Sequence, residues 1–504
     1  MATPLEPQIA TEETALLAKR KPKQERTPVP WKQISVILLI QVCEPIASQS
    51  IYPYINQARR CLIFELDVTG GDEKKVGYYA GLVRRVVRPA DTVLPLIASR
   101  RFVIFADSWE ALFFVTEAMS TLQWSRASDS VGRKPILLIG TFGSFLSILC
   151  FGLSKTFTAL VISRCLCGLL NGNVGVMKST LGDLTDKTNR AEALVFLPIV
   201  WAAGASVGPL IGGALARPHD RFPSSAFFSH QFWLEFPYFL PCLVTGCFVL
   251  FSWFVVLIVF KETVPHKSEP STPTCESPSE VPLVPQGPLP LRELITRPVL
   301  LSVANYVTLA FLNTSLGALI PLFLTMPISI GGLGLDPPKI GLILSIYGVF
   351  TGTFNLLFFA KLVRWMGEKR TFILGMSTTL LVFLLFPAMN MLAKANGGLQ
   401  WHSYALVGCV LLLGAIMDVS FGAIFMFIIA SAPRYSRGSV NGLSQTSASI
   451  ARAIGPALCT SLFSTSQQYN LLGGYFVYAV FFLISCGAMW LADSLPEEIW
   501  DDIE

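Results

Sequence analysis

The feature that most constrains this chain is a row of apolar runs, each about as long as a bilayer is thick. A helix needs roughly 20 apolar residues to cross the hydrocarbon. Such runs lie at 34–55, 135–154, 157–180, 192–215 and 237–260, and again at 298–326, 340–363, 371–393, 403–431, 439–464 and 471–492. One more is split, with 76–83 resuming at 110–125. The pattern predicts six spans, a linker and six spans. In lipid every backbone polar group needs an internal partner, so spans of this length are helices. Only 14% of the residues are charged, against about 25% in an ordinary soluble chain. The expected fold is an all-α membrane protein with twelve transmembrane helices.

Composition also divides the chain. Residues 1–32 form a polar tail with Lys19, Arg20, Lys21, Lys23, Arg26 and Lys32 before the first apolar run. No small-residue cleavage site ends a short apolar core there, so the tail reads as cytoplasmic and the first helix as uncleaved. The first half is 33–262. A linker at 263–295 contains "PHKSEPSTPTCESPSEVPLVPQGPLPL", which offers no apolar face to bury and reads as flexible. The second half is 296–495, and an acidic tail follows at 496–504. Positive residues favour the cytoplasmic side. Arg126, Arg133 and Lys134, then Arg364, Lys369 and Arg370, then Arg434 and Arg437, all fall on one side if both termini are cytoplasmic.

Several classes of function are excluded. A net charge of +5 is too mild for nucleic-acid binding. Eleven cysteines and four histidines lack the spacing of a metal site or a disulfide framework. No Walker loop and no nucleophile–base pair is present, so neither ATP drive, an enzyme, a metal nor a cofactor is expected.

Two short stretches repeat. "SDSVGRKPILLIG" follows helix 2 and "VRWMGEKRTFILG" follows helix 8. Aligning Gly132 with Gly367 also aligns Lys134 with Lys369, and Gly208-Pro209 of helix 5 matches Gly455-Pro456 of helix 11. Two related six-helix halves in parallel orientation are a transporter architecture.

At these residues the chain resembles the major facilitator superfamily. "SRASDSVGRK" is similar to the family's first-loop signature G-x-L-A-D-R-x-G-R-K, with Asp129, Gly132, Arg133 and Lys134 in place. Ser125, Ala127 and Ser130 depart from it. "RCLCGLLNG" resembles R-x-x-x-G, with Arg164 and Gly168. "GASVGPLIGG" matches G-x-x-x-G-P-x-x-G-G in full, through Gly204, Gly208, Pro209, Gly212 and Gly213. That motif is characteristic of the drug:proton antiporter branch. The wording of "EPIASQSIYPYINQ", "RPHDRFP" and "FPYFLPC" looks like its fungal and plant exporters. The resemblance implies the major facilitator fold of two pseudo-symmetric halves, and Asp129 near the start of helix 11, around Gly438–Asn441. It also implies Arg164 as a counter-charge to an intramembrane acid.

Charges inside spans carry the chemistry. A central charge costs about 2.5–3.5 kcal/mol on insertion scales, so it faces a cavity or a partner. Glu44, Glu117, Arg164 and Asp418 are the candidates for proton coupling or substrate binding, with Glu44 or Asp418 favoured as the titrating acid. Lys178, near the end of helix 4, is expected to reach an interface. Tyr52, Tyr54, Trp201, Tyr306, Tyr347 and Phe421 are candidates to line an amphipathic cavity. The small residues of helix 5 let backbones approach, and the expected partner is a helix of the other half.

The split second run is the anomaly. Residues 84–109 carry Arg84, Arg85, Arg88, Arg100 and Arg101, with Pro89 and Pro95. Joining Val83 to Glu110 gives "VGYYAGLVEALFFVTEAMSTLQW", a 23-residue span. We read 84–109 as an intrusion, an intron translated in frame, with an outer loop as the alternative. If it is present in the protein, helix 2 is expected to restart near Asp107. The function expected is secondary active export of a small organic molecule by proton antiport, by a monomer. The alternatives are a proton-independent facilitator and a non-transporting nutrient receptor on the same fold. The plasma membrane is the expected location. "EETALL", with Glu12, Leu16 and Leu17, has the spacing of a sorting signal for the vacuolar alternative.

Overall fold

A computed structural model describes residues 27–65, 93–186, 188–222, 224–263, 290–335, 337–433 and 436–500. Twelve long helices run through them. In the first half these are α1 (Trp31–Glu65), α2 (Val93–Val131), α3 (Arg133–Gly152), α4 (Phe157–Leu170 and Asn173–Leu184), α5 (Phe196–Leu215) and α6 (Phe239–Val259). In the second they are α7 (Arg297–Thr325), α8 (Pro337–Met366), α9 (Glu368–Ala395), α10 (Trp401–Ala430), α11 (Arg437–Gln468) and α12 (Phe476–Asp493).

Ten of these are long and apolar enough to cross a bilayer. The exceptions are α2, whose apolar run is split in the sequence, and α11. In α11 the buried face carries Ser439, Asn441, Ser444, Gln445 and Ser449. Protein covers that face, so it need not be apolar. Enclosure differs along the same lines: 72% of the apolar stretch of α10 is buried, against 17% for α8. Helix α10 is central and α8 faces outward.

Packing repeats with a shift of six helices. Helix α1 lies along α5 as α7 lies along α11, and α3 pairs with α6 as α9 pairs with α12. The halves meet through α2 against α11 and α8 against α5, which are equivalent pairs. The backbone repeats too. Gly132 (φ 114°) precedes α3 and Gly367 (φ 81°) precedes α9, both in the region that favours glycine. Proline bends α5 at Pro209 and α11 at Pro456.

Two expectations need correction. The glycines of α5 face α1 of their own half. A Cβ on Gly204 would stand 2.5 Å from Pro45 Cγ, and one on Gly212 would stand 1.8 Å from the Ser50 carbonyl oxygen. The second half meets α5 elsewhere, at Ala202 against Gly352 and Ser206 against Gly348. The other correction concerns α2, which is helical from Val93 and not from Asp107. Its 39 residues rise about 58 Å at ~1.5 Å each. That exceeds a hydrocarbon core of about 30 Å, so α2 is longer than a single span requires. Residues 84–92, and Glu12, Leu16 and Leu17, lie outside the described residues.

Candidate functional site

The last turn of α2 joins the two halves at one end of the bundle. Asp129 accepts hydrogen bonds from the backbone N–H of Gly438 (2.9 Å) and of Ser439 (2.7 Å), and from the Ser439 hydroxyl (2.7 Å). These are the free donors at the start of α11, where a helix dipole favours a carboxylate. Gly438 admits it: a Cβ there would lie 2.2 Å from Asp129 Oδ1. Arg133 Nη1 pairs with Asp129 at 2.7 Å, and Arg133 Nε with Asp183 at 3.2 Å. Arg437 reaches Asp183 at 3.6 Å. The chain Gly438–Asp129–Arg133–Asp183–Arg437 therefore closes a loop across the halves.

Local structure holds Arg133 in place. Glu262, just beyond α6, accepts from the Arg133 N–H (2.8 Å) and the Lys134 N–H (3.0 Å). It caps α3 as Asp129 caps α11. A Cβ on Gly132 would lie 2.7 Å from Glu262 Oε2. Further out on the same end, Arg364 reaches Glu192 at 3.4 Å and Lys369 reaches Glu497 at 3.5 Å.

A second cluster lies at mid-membrane, deeper in the bundle. Glu44 on α1 and Glu117 on α2 share one donor, the Asn171 amide, at 3.4 and 3.2 Å. Asn171 sits at the break in α4, which frees it from the regular helix. The other oxygen of Glu117 accepts from the Ser449 hydroxyl of α11 at 2.7 Å. Lys178 of α4 donates to the Tyr306 hydroxyl of α7 (3.1 Å) and to Gln445 of α11 (2.9 Å). Its ammonium stands 4.1 Å from the Phe425 ring centroid. Arg452 of α11 donates to the same Tyr306 hydroxyl at 3.1 Å. Glu44, Glu117, Lys178 and Arg452 feel one another's charge. Two acids from one half thus face one cation from each half, and every direct tie from Glu117 or Lys178 to α7 or α11 crosses the interface.

A cavity of about 50 Å³ opens behind Glu44, inside the first half, lined among others by Arg164, Ser48, Ser144, Ser147 and Asn171. A water needs roughly 10–15 Å³ of such space, so the cavity admits a few waters and no organic solute.

A third site occupies the second half. Asp418 of α10 accepts from the Asn313 amide of α7 (3.0 Å) and from the Tyr347 hydroxyl of α8 (3.4 Å). All three side chains are half-buried.

Comparison with known proteins gives the family. The family model of the Major Facilitator Superfamily matches residues 102–456 and 323–500. The chain belongs to the major facilitator superfamily. Among its relatives is the major facilitator-type transporter psiT2 of Psilocybe cyanescens, 29% identical over 95% of this chain and 93% of the relative. The multidrug transporter mfsB of Aspergillus fumigatus is 27% identical over 93% and 84%. The efflux pump azaK of Aspergillus niger is 26% identical over 96% and 91%. Two of these relatives are named for multidrug transport or efflux. A solved structure, the human organic anion transporter MFSD10, shares the fold at a TM-score of 0.66 and 17% identity, covering 92% of this chain and 100% of that one.

In this member of the superfamily, a multi-pass membrane transporter, the residues singled out in the sequence fall into three places. Asp129 and Arg133 form the contact between the halves at the end of α2, here called the latch, and Gly132 and Lys134 lie beside it against Glu262. Glu44 and Arg164 line the first-half cavity, Glu117 is joined to Glu44 through Asn171, and Asp418 stands apart. Arg164 lies over the Phe151 ring at 5.4 Å. The cations felt by Glu117 are Arg452 and Lys178. Lys178 does not reach an interface with solvent: it is only 6% exposed and bonded to the second half. Of the aromatics, Tyr306 is buried, Tyr347 and Phe421 are half-buried near Asp418, and Trp201 is exposed. Asn171, Gln445, Ser449 and Arg452 were not singled out from sequence. Arg452 carried a readable signal, because it interrupts a span just as Glu44 does.

Proposed function

We propose that this transporter exports a small organic molecule by proton antiport through alternating access. The observation that carries the reading is the Glu44–Asn171–Glu117 bridge, tied by Ser449 to α11. Two carboxylates on one donor repel when both are ionised, so a proton on one of them relieves the pair. A proton arriving at Glu117 also changes its attraction for Arg452 across the interface. Proton occupancy and the fit between the halves are therefore linked, which is what coupling requires. The few waters that the cavity admits give Glu44 a path for protons apart from any organic substrate.

The latch supports the alternating part. With Asp129 on the α11 N-terminus the bundle is closed at that end, and the state open at that end must release these bonds. The basic connections gathered there support a cytoplasmic latch face, with both termini on that side and the plasma membrane as the site of export. Full names of the drug-efflux relatives support an organic substrate.

The test uses purified protein in proteoliposomes with ethidium as the probe. An outward-to-inward proton gradient should drive ethidium against its concentration gradient. Glu117→Gln should cut that driven flux at least about tenfold, the effect of ~1.4 kcal/mol, while leaving exchange at equal pH. Flux that is indifferent to the gradient and to Glu117→Gln would establish the facilitator reading instead.

A further inference from the structure

We propose that Thr27 is a phosphorylation site, and that a phosphate there unfastens the N-terminal segment from the turn between α4 and α5. The proposal rests on the cytoplasmic placing of the latch end, because the kinase and its phosphoryl donor, a nucleoside triphosphate, are cytosolic.

Thr27 lies in the stretch "RTPVPW", directly before Pro28, and a threonine followed by proline is what a proline-directed kinase modifies. Its side chain is exposed. Its N–H, hydroxyl and carbonyl all go to the turn after α4. The Thr27 N–H donates to the Thr188 hydroxyl oxygen at 3.2 Å. The Thr27 hydroxyl donates to the Asp186 carboxylate and stands 3.1 Å from the Thr188 hydroxyl. The Asn189 amide donates to the Thr27 hydroxyl oxygen at 3.1 Å and to its carbonyl at 3.4 Å. Pro28 and Pro30 have no N–H to add, so Thr27 carries the polar attachment of this segment to the turn. Hydrogen bonds this exposed, close to a chain end, open at little cost, which frees the segment for a kinase.

Phosphoryl transfer reverses this contact. Thr27 Oγ1 attacks the γ-phosphorus of the nucleoside triphosphate. The new O–P bond forms as the bond to the bridging oxygen breaks, the hydroxyl proton passes to the kinase's base, and a nucleoside diphosphate leaves. The ester oxygen then has no proton to give, and an ionised carboxylate can only accept. The phosphate also brings about 1.5–2 negative charges at neutral pH. They stand beside Asp186, which already takes donors from Thr188 and from the Asn189 backbone. Like charges this close repel, and the neutral Asn189 amide does not balance them. Arg190, the next cation along the described chain, is 1% exposed and lies below the surface where the phosphate stands. The turn begins three residues past Asp183, which pairs with Arg133 and Arg437. The phosphate therefore acts beside the contact between the halves, where a change in the tail reaches the latch by the shortest path along the chain.

The experiment incubates the purified full-length protein with a proline-directed kinase and radiolabelled ATP, and maps the phosphate by mass spectrometry. The wild type should carry it on Thr27, Thr27→Ser should keep it, and Thr27→Ala should lose it. Amide exchange is then compared with and without the phosphate. Exchange at the Thr27 amide, which Thr188 holds, should quicken at least about tenfold, and phosphatase should restore the slow rate. Exchange at Arg133 and Lys134, whose amides Glu262 covers, should stay as it was. In Asp186→Asn, which removes the repelling charge, the phosphate should quicken exchange far less. Phosphate found only on Thr272 or Ser277, which also precede prolines, would overturn the proposal. So would unchanged or slower exchange in the phosphorylated wild type, or equal acceleration in Asp186→Asn. Labelling of sealed right-side-out vesicles by kinase added outside would instead sink the cytoplasmic orientation, whatever the exchange result on the purified protein.

Discussion

At the residue scale, Asp129 bears the greatest consequence for conformation. It is one carboxylate with three donors from α11 and one arginine, and its side chain is fully buried. Removing one member of a buried ion pair typically costs about 3–5 kcal/mol. Here Arg133 keeps Asp183, so part of the loss is recovered. Asp129→Asn should therefore loosen the latch without unfolding the protein. The amides of Gly438 and Ser439 lose a charged acceptor, and their hydrogen exchange should quicken at least about tenfold, the equivalent of ~1.4 kcal/mol. Exchange at the α3 amides of Arg133 and Lys134, which Glu262 covers, should change little. Uniform exchange rates in wild type and variant would mean that Asp129 does not hold the halves together. The acids themselves were legible in the sequence, because a charge inside an apolar run stands out. Their partners were not. Glu117 and Ser449 are 332 residues apart, and nothing local in "SQTSASIARA" says which helix it faces.

At the scale of elements, the glycine motif of α5 and the polar face of α11 illustrate what pattern reveals and what it hides. The motif showed that α5 approaches a neighbour closely, since small residues have that use. It did not show which neighbour, and the structure gives α1. The equivalent pair in the second half behaves alike: a Cβ on Gly455 of α11 would lie 2.8 Å from Ser315 Oγ on α7. These contacts define two close-packed pairs, α1 with α5 and α7 with α11. Gly212→Leu should thus damage the first pair. Its Cβ alone would stand 1.8 Å from the Ser50 carbonyl oxygen, and overpacking costs typically about 1–3 kcal/mol even where neighbours can shift. A backbone oxygen shifts less readily than a side chain. The melting temperature of the purified protein should fall by several degrees. Gly408→Ala in α10, where a Cβ meets nothing within 4 Å, should raise it slightly by removing about 0.5–1 kcal/mol of backbone freedom. A Gly212→Leu protein that melts like the wild type would refute close α1–α5 packing at this point.

At the scale of the whole molecule, the fold was legible because hydropathy, repeat and loop charge agree. The one local conflict is residues 84–109. Arg100 and Arg101 fall within the helical part of α2, which begins at Val93. Glu117 and Asp129 lie beyond the segment, so the cluster and the latch keep their register whether or not it is present. The conflict is therefore confined to the end of α2 far from the latch. A span of 23 residues, Val76–Val83 joined to Glu110–Trp124, rises about 35 Å at ~1.5 Å per residue. That suffices for a hydrocarbon core of about 30 Å and places no arginine near lipid, where each would cost roughly 2.5–3.5 kcal/mol at mid-membrane. Transcripts from the source organism should include reads that cross from codon 83 to codon 110 without the codons between. A protein lacking 84–109 should give a higher yield of monodisperse material than the full chain and should retain gradient-driven ethidium flux. Retention of the segment in every transcript, together with loss of flux on its deletion, would make it a working outer element of α2.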